Sequence, residues 1–238
     1  MKIKLLKNEL TDNLQLPSFN CDNELGDDIP KPLPCYNFNM AFIGRPKSGK
    51  TSLAISLLTN KKPKIYNKVF DHIIVVAPPN SIASLKKNPF EHLVHKYPEL
   101  NYDNLETILN LCKDQYSIQD EQTLVYLDDV ASSLKSTSIQ SLFNEAVFNR
   151  RHYRMSIMLL SQNLVSIPLN VRKNLTHIVL FKPAMKEWYL FCEEFLNYDR
   201  EICMRLYDFV FSEPHSYLFV DLTEGKIYKK FDEIILSN

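Results

Sequence analysis

Gly44-Arg45-Pro46-Lys47-Ser48-Gly49-Lys50-Thr51 lies between an apolar segment, Tyr36–Ile43, and a stretch with helical spacing, Lys50–Leu58. The leading segment alternates and then turns apolar, which predicts a buried strand; Leu53, Ile55, Leu57 and Leu58 give the following helix an apolar side. A strand, a G-x-x-x-x-G-K-[ST] loop and a helix together form a phosphate cradle, the P-loop. Its glycines let the backbone wrap closely with its N–H groups inward. The chain has only four glycines, and two of them fall in this motif. Lys50 is expected on the β- and γ-phosphates and the Thr51 hydroxyl on Mg²⁺, with Ser52 carrying the chain into a helix whose positive end faces the anion. The residues expected to bind ATP are therefore Gly44, Arg45, Pro46, Lys47, Ser48, Gly49, Lys50, Thr51 and Ser52. Pro46 donates no N–H, but it precedes the amides that do the cradling.

Outward from the loop, apolar strand patterns alternate with helical ones. Val69–Ala77, Thr123–Leu127, Met155–Leu160 and Thr176–Phe181 read as strands. Helices are predicted near Ile82–Lys87, Leu105–Cys112, Ser138–Phe148, Met185–Leu196 and Arg200–Phe211. Thr223-Glu224-Gly225 between Tyr217–Asp221 and Lys226–Lys230 signals a C-terminal β-hairpin. The expected class is α/β, a mostly parallel sheet flanked by helices. Residues 1–34 are polar and end in Pro30, Pro32 and Pro34, which reads as an N-terminal arm or lead-in to a domain over 35–238.

Two further strands carry chemistry at their ends. Leu124-Val125-Tyr126-Leu127-Asp128-Asp129 delivers two carboxylates at the C-terminal end of an apolar strand, where open α/β sheets bind ligands. Asp128 suits a metal-holding Walker B acid, and Asp129 a base for the attacking water. Asp is one methylene shorter than the Glu usual there, so a longer acid such as Glu145 is an alternative; a plain capping turn is another. Ile157-Met158-Leu159-Leu160-Ser161-Gln162 ends in a polar residue, and Gln162 is placed either to sense the γ-phosphate or to satisfy loop backbone. Arg150, Arg151 and Arg154 precede this strand, and the arginine fork suits phosphate. They read either as a finger reaching a neighbouring subunit's nucleotide or as a solvated basic turn, with Arg172 a weaker candidate.

Composition bounds the rest. With 238 residues, 45% apolar and 24% charged, the chain fits one domain with an appendage. Net charge is zero, 28 basic against 28 acidic residues, so a nucleic-acid site has to be a local patch; Lys61, Lys62, Lys64 and Lys68 form a basic cluster that could touch phosphate, though a solvated loop is the better reading of it. No apolar run approaches the roughly 20 residues that span a bilayer, and the N-terminus lacks a signal-peptide pattern. Five scattered cysteines without a C-x-x-C pair argue against a disulfide framework or zinc site and for reduced thiols.

In this order the elements resemble the poxvirus-type genome-packaging ATPases, a viral branch of the FtsK–HerA superfamily found in large DNA viruses and virophages. The resemblance rests on Gly44–Thr51, Phe70–Pro78, Leu127-Asp128-Asp129, Arg151-His152-Tyr153, Ser161-Gln162, Ile167-Pro168, Arg172-Lys173-Asn174 and Phe231–Ile235, and covers roughly 36–238. It implies a RecA-like P-loop fold with strand order 5-1-4-3-2. It also implies a ring of five or six copies, ATP-driven movement of double-stranded DNA, and docking on capsid protein at the packaging vertex. The implied location is the host cytoplasm, in viral factories, or the virion, with no membrane partner. A nucleoside or nucleotide kinase shares the P-loop and the length; it would want an arginine-rich lid, whereas the basic residues after Gln162 are dispersed.

Overall fold

The computed structural model describes residues 29–83 and 88–236. Nine strands form one sheet: β1 (Asn39–Ile43), β2 (His72–Val76), β3 (Lys96–Tyr97), β4 (Thr123–Asp128), β5 (Met155–Ser161), β6 (His177–Phe181), β7 (Tyr217–Asp221), β8 (Lys226–Lys229) and β9 (Asp232–Glu233). Their order is β3-β2-β4-β5-β1-β6-β7-β8-β9. From β3 to β6 every pairing is parallel; β7, β8 and β9 add antiparallel strands, the first two as the expected hairpin. Counting only the long parallel strands in chain order, the sequence across the sheet is 5-1-4-3-2, as the resemblance implied.

The sheet is buried on both faces because its strands are apolar at consecutive positions. Period-two alternation then divides them between two cores. Ala41, Ile43, Val125, Leu127, Ile157 and Leu159 face one core; Met40, Phe42, Leu124, Tyr126, Met158 and Leu160 face the other. Among the described residues seven α-helices connect the strands: α1 (Lys50–Thr59), α2 (Pro79–Ala83), α3 (Tyr102–Asn110), α4 (Thr137–Asn149), α5 (Leu169–Arg172), α6 (Met185–Phe191) and α7 (Arg200–Val210). The first core takes its cover from α3, α4, α6 and α7 through residues such as Leu105, Phe143, Trp188 and Leu206. The second takes Ala54, Leu57 and Leu58 of α1, with Tyr66 packed against Phe38 and Phe70.

Several boundaries differ from the sequence reading. The second strand is shorter than Val69–Ala77, because Asp71 turns its carboxylate to the Gln122 amide 2.8 Å away before the ladder begins. α3 starts at Tyr102 rather than Leu105, since the Asn101 side chain accepts from the Asn104 amide at 2.8 Å and caps it. Both α3 and α6 run into a wider π turn, Leu111–Tyr116 and Cys192–Leu196. The helix expected near Ile82–Lys87 forms at Pro79–Ala83, and 84–87 lie outside the described residues. β3 and β9, with two residues each, are too short to leave a periodic signal.

Most of the predicted arm, 1–28, and Cys21 with it lie outside the described residues. Its last part is not peripheral: Ile29 and Leu33 are buried, and the Tyr66 hydroxyl donates to the Pro34 carbonyl at 2.6 Å. Cys112, Cys192 and Cys203 are buried thiols outside any disulfide. Among the described residues no helix is long and apolar enough to cross a membrane.

Trp188 joins α6 to α7 from the inside: it is fully buried and its indole N–H donates to the Cys203 carbonyl at 2.9 Å. Trp188→Ala is expected to cost about 3–5 kcal/mol through the cavity and the orphaned carbonyl. Thermal unfolding should then shift down by about 10 °C, at about 2–4 °C per kcal/mol for a chain of this size; an unchanged midpoint would contradict this packing account.

Candidate functional site

The site is built on the carboxyl edge of the parallel strands. β1 ends at Ile43, which lies opposite Ser161 of β5, and the Gly44 amide continues the ladder by donating to the Ser161 carbonyl at 3.1 Å. The chain then folds back tightly. The Ser48 amide donates to the Arg45 carbonyl at 3.2 Å, and Lys47 and Gly49 take left-handed conformations with φ of 64° and 109°. Glycine is needed at two points of the loop. A Cβ on Gly44 would come within 2.7 Å of Phe181 Cβ and 2.8 Å of Ser48 Oγ, and the φ of Gly49 strains any L side chain.

Gly49 also caps α1, a ten-residue helix, without a side-chain hydrogen bond and without an acid in its first turn. The first amides of α1 therefore keep their donors for an anion. Ser48 Oγ is buried with no hydrogen-bond partner, a polar atom that a phosphate-bearing ligand in the loop could satisfy. These features fit the phosphate cradle read from the sequence.

Two strands away from β1, β4 brings Asp128 level with Leu160 of β5, so the acids reach the same edge. Asp129 turns left-handed, with φ 55°, directly after the strand. The Gln162 amide nitrogen donates to Asp129 Oδ1 at 3.3 Å. Thus the third and fourth core strands are joined at their tips by the two side chains singled out in the sequence.

An open cleft of about 460 Å³ gathers these groups, a size in the range of small-molecule sites. Its lining includes Pro46, Lys47, Lys50, Thr51, Ser52, Asp128, Asp129, Ser161 and Gln162. Gly44, Arg45, Ser48 and Gly49 shape the loop behind it. Ser81 of α2 also lines the cleft, and the sequence reading missed it. The signal was present: Pro78-Pro79 closes β2, whose carboxyl end lies beside that of β4.

Charge balance in the cleft is mutual. Burial pushes the Lys50 ammonium below its ordinary range, while Asp128 and Asp129 push it back up. Asp128 is raised, first by burial and then by Asp129, and is held down by Lys50 and by the Asp129 amide. Lys50 Nζ donates to the Arg45 carbonyl at 3.2 Å, bridging the base of the loop.

The arginines are not in this cleft. Arg150, Arg151 and Arg154 precede the amino end of β5, a full strand of about 20 Å from Gln162. Arg150 departs from the expected role: its Nε donates to the Asn37 carbonyl and its Nη1 to the Val147 carbonyl, both at 2.8 Å, which bolts the end of α4 to the entry of β1. Burial, then the neighbouring Arg151, lowers its proton affinity. Arg154 pairs with Asp120 at 2.6 Å and Arg172 with Glu194 at 3.0 Å. Arg151 is exposed on the turn. Glu145, the alternative acid, accepts from the Tyr153 hydroxyl at 3.1 Å and does not line the cleft. Lys61, Lys62, Lys64 and Lys68 stay exposed on the loop after α1.

Comparison with known proteins follows the same lines. A search among curated protein sequences gives no match. Among solved structures, the genome packaging NTPase B204 from Sulfolobus turreted icosahedral virus 2, in complex with AMPPCP, superposes with a TM-score of 0.59 at 16% identity, over 84% of this chain and 99% of that one. The DNA-packaging ATPase B204 from Sulfolobus turreted icosahedral virus gives 0.60 at 13% identity, over 82% and 97%. EssC (ATPases 2 and 3) from Geobacillus thermodenitrificans gives 0.50 at 13% identity, over 78% of this chain and 38% of that one. At such identities these likenesses speak to the fold alone. The family model described as poxvirus A32 protein matches residues 31–194, well over half of the chain. With the P-loop, the acidic strand and the Gln162 strand all inside that match, the chain belongs to the poxvirus A32 protein family, the poxvirus-type genome-packaging ATPases.

Proposed function

We propose that this protein is the ATP-hydrolysing motor that moves double-stranded DNA into a capsid, acting as a ring of its own copies. The observation that carries the reading is the cleft in which Lys50, Thr51, Asp128, Asp129 and Gln162 meet at one edge of the sheet. The B204 proteins, a genome packaging NTPase and a DNA-packaging ATPase, share this fold, which supports the same reading.

In this mechanism the amides of the P-loop and of the first turn of α1 hold the phosphates of ATP. Water attacks the γ-phosphorus, the bond from that phosphorus to ADP breaks, and the electron pair leaves on the β-phosphate oxygen. Asp129 takes the proton of the attacking water. Gln162, already donating to Asp129, orients that carboxylate and reads whether a γ-phosphate is present. Lys50 offsets the charge that gathers on the β- and γ-oxygens, and it does so in a half-buried site where a fixed charge acts more strongly than in water.

Thr51 and Asp128 would hold Mg²⁺, whose chemistry is to draw charge from the phosphate oxygens. A hydroxyl and a carboxylate are the hard oxygen donors that this ion takes.

Arg151, exposed on the turn before β5, is the residue we assign to reach a neighbouring copy's nucleotide. The ring is proposed to dock on capsid protein at the packaging vertex, in the host cytoplasm or on the virion.

Phosphate release measures the reaction. Lys50→Ala should abolish it, and Asp129→Asn should lower kcat by about 100-fold or more while nucleotide binding persists. Transfer of the phosphoryl group to a nucleoside, without hydrolysis, would overturn the motor reading in favour of a kinase. Arg151→Ala should lower turnover by about 10³-fold. Mixing Arg151→Ala with Lys50→Ala subunits should restore part of it, because some shared sites are then complete; assembled mixed rings with no recovery would remove Arg151 from the role.

A further inference from the structure

The loop that carries the phosphates is held from behind by a residue far away in the chain. His215 lies between α7 and β7, and its Nδ1 is 3.0 Å from the Ser48 carbonyl oxygen. A carbonyl accepts, so Nδ1 carries the proton and donates. This contact has a consequence for the neighbouring amide. The peptide joining Ser48 to Gly49 is planar and trans, so its C=O and N–H point in opposite directions. A Ser48 carbonyl drawn outward to His215 turns the Gly49 N–H inward, toward the side of the loop where phosphate is cradled.

The loop has little else to fix that peptide. The loop is held by the Gly44 amide on Ser161, the Ser48 amide and Lys50 ammonium on the Arg45 carbonyl, and the Leu53 amide on the Gly49 carbonyl, all directed at atoms other than the Ser48 carbonyl, and two of its residues are left-handed. Gly49 leaves just enough room: a Cβ there would stand 3.7 Å from His215 Nδ1 and 3.3 Å from the Phe181 ring.

His215 is exposed, and its backbone is set by the turn that carries it. It takes φ 59° in the turn before β7, a strand buried along its whole length. The Ser216 amide donates to the Glu213 carbonyl at 3.3 Å. Glu213 receives Lys230 at 3.1 Å and Lys229 at 3.4 Å from the end of β8, and Lys229 also reaches Ser212 Oγ at 3.1 Å. The hairpin thereby grips the turn, and the turn grips the P-loop.

We propose that His215 is a positioning residue for ATP: it holds the Ser48–Gly49 peptide in the orientation that offers the Gly49 N–H to phosphate. The proposal rests on the assignment of Gly44–Thr51 as the ATP site. The positive φ dictates the variants, because alanine at 215 would strain the backbone as well as remove the ring. Glycine removes the ring and tolerates the φ; asparagine tolerates it too and places an N–H donor where Nδ1 stands.

AMPPCP binding by calorimetry and steady-state phosphate release are measured on wild type, His215→Gly and His215→Asn, with melting temperature as the check on folding. His215→Gly should weaken AMPPCP binding and raise KM by about 5-fold, the range of one lost hydrogen bond, with kcat changed by less than about 2-fold. His215→Asn should stay within about 2-fold of wild type in both. Wild-type affinity in the glycine variant overturns the proposal, as does equal loss in the glycine and asparagine variants at unchanged melting temperature. Wild-type protein with no affinity for AMPPCP would overturn the ATP-site assignment and this proposal with it.

Discussion

The site depends on one pairing, the insertion of β5 between β1 and β4. β2 and β3 separate β1 from the other two in the chain, and only the parallel ladders on both sides of β5 bring the three carboxyl ends level. Ile43 then faces Ser161, Leu160 faces Asp128, and the loop, the acids and Gln162 follow from the strand ends without further adjustment. A slip of one residue in either ladder would move a strand end by about 3.3 Å and turn its apolar side chains from one core to the other. Burial of β5 along its whole length, with apolar residues facing both cores, is what forbids that slip.

The cleft is also an electrostatic bargain among three groups. Burial pushes the Lys50 ammonium down and the Asp128 carboxyl up, and each partly offsets the shift of the other, with Asp129 supporting Lys50 and opposing Asp128. Neutralising either carboxylate therefore lowers Lys50 further, which couples the loop to an acidic strand from a distant part of the chain.

What the sequence made legible was local. The P-loop declares itself through glycine spacing between a strand and a helix, and Asp128, Asp129 and Gln162 through their place at the ends of apolar runs. Parallel strands deliver such residues to a common edge, so reading strand ends was enough to collect most of the cleft. The rest needed distance in three dimensions. Arg150 looked like its neighbours in the turn, but its partner Asn37 is 113 residues away. His215 touches the loop across 167 residues, with no motif around it to announce the contact. Ile29 and Leu33 sit among prolines and polar residues whose pattern concealed their burial.

The central claim is that ATP turnover in this cleft drives movement along duplex DNA. Displacement of a triplex-forming oligonucleotide from a long duplex tests it most directly, because the third strand is shed only by something travelling along the other two. The account predicts displacement by the assembled protein with ATP, and none with AMPPCP in its place. ATP hydrolysis that proceeds at one rate with and without duplex, leaving the third strand in place, would contradict it.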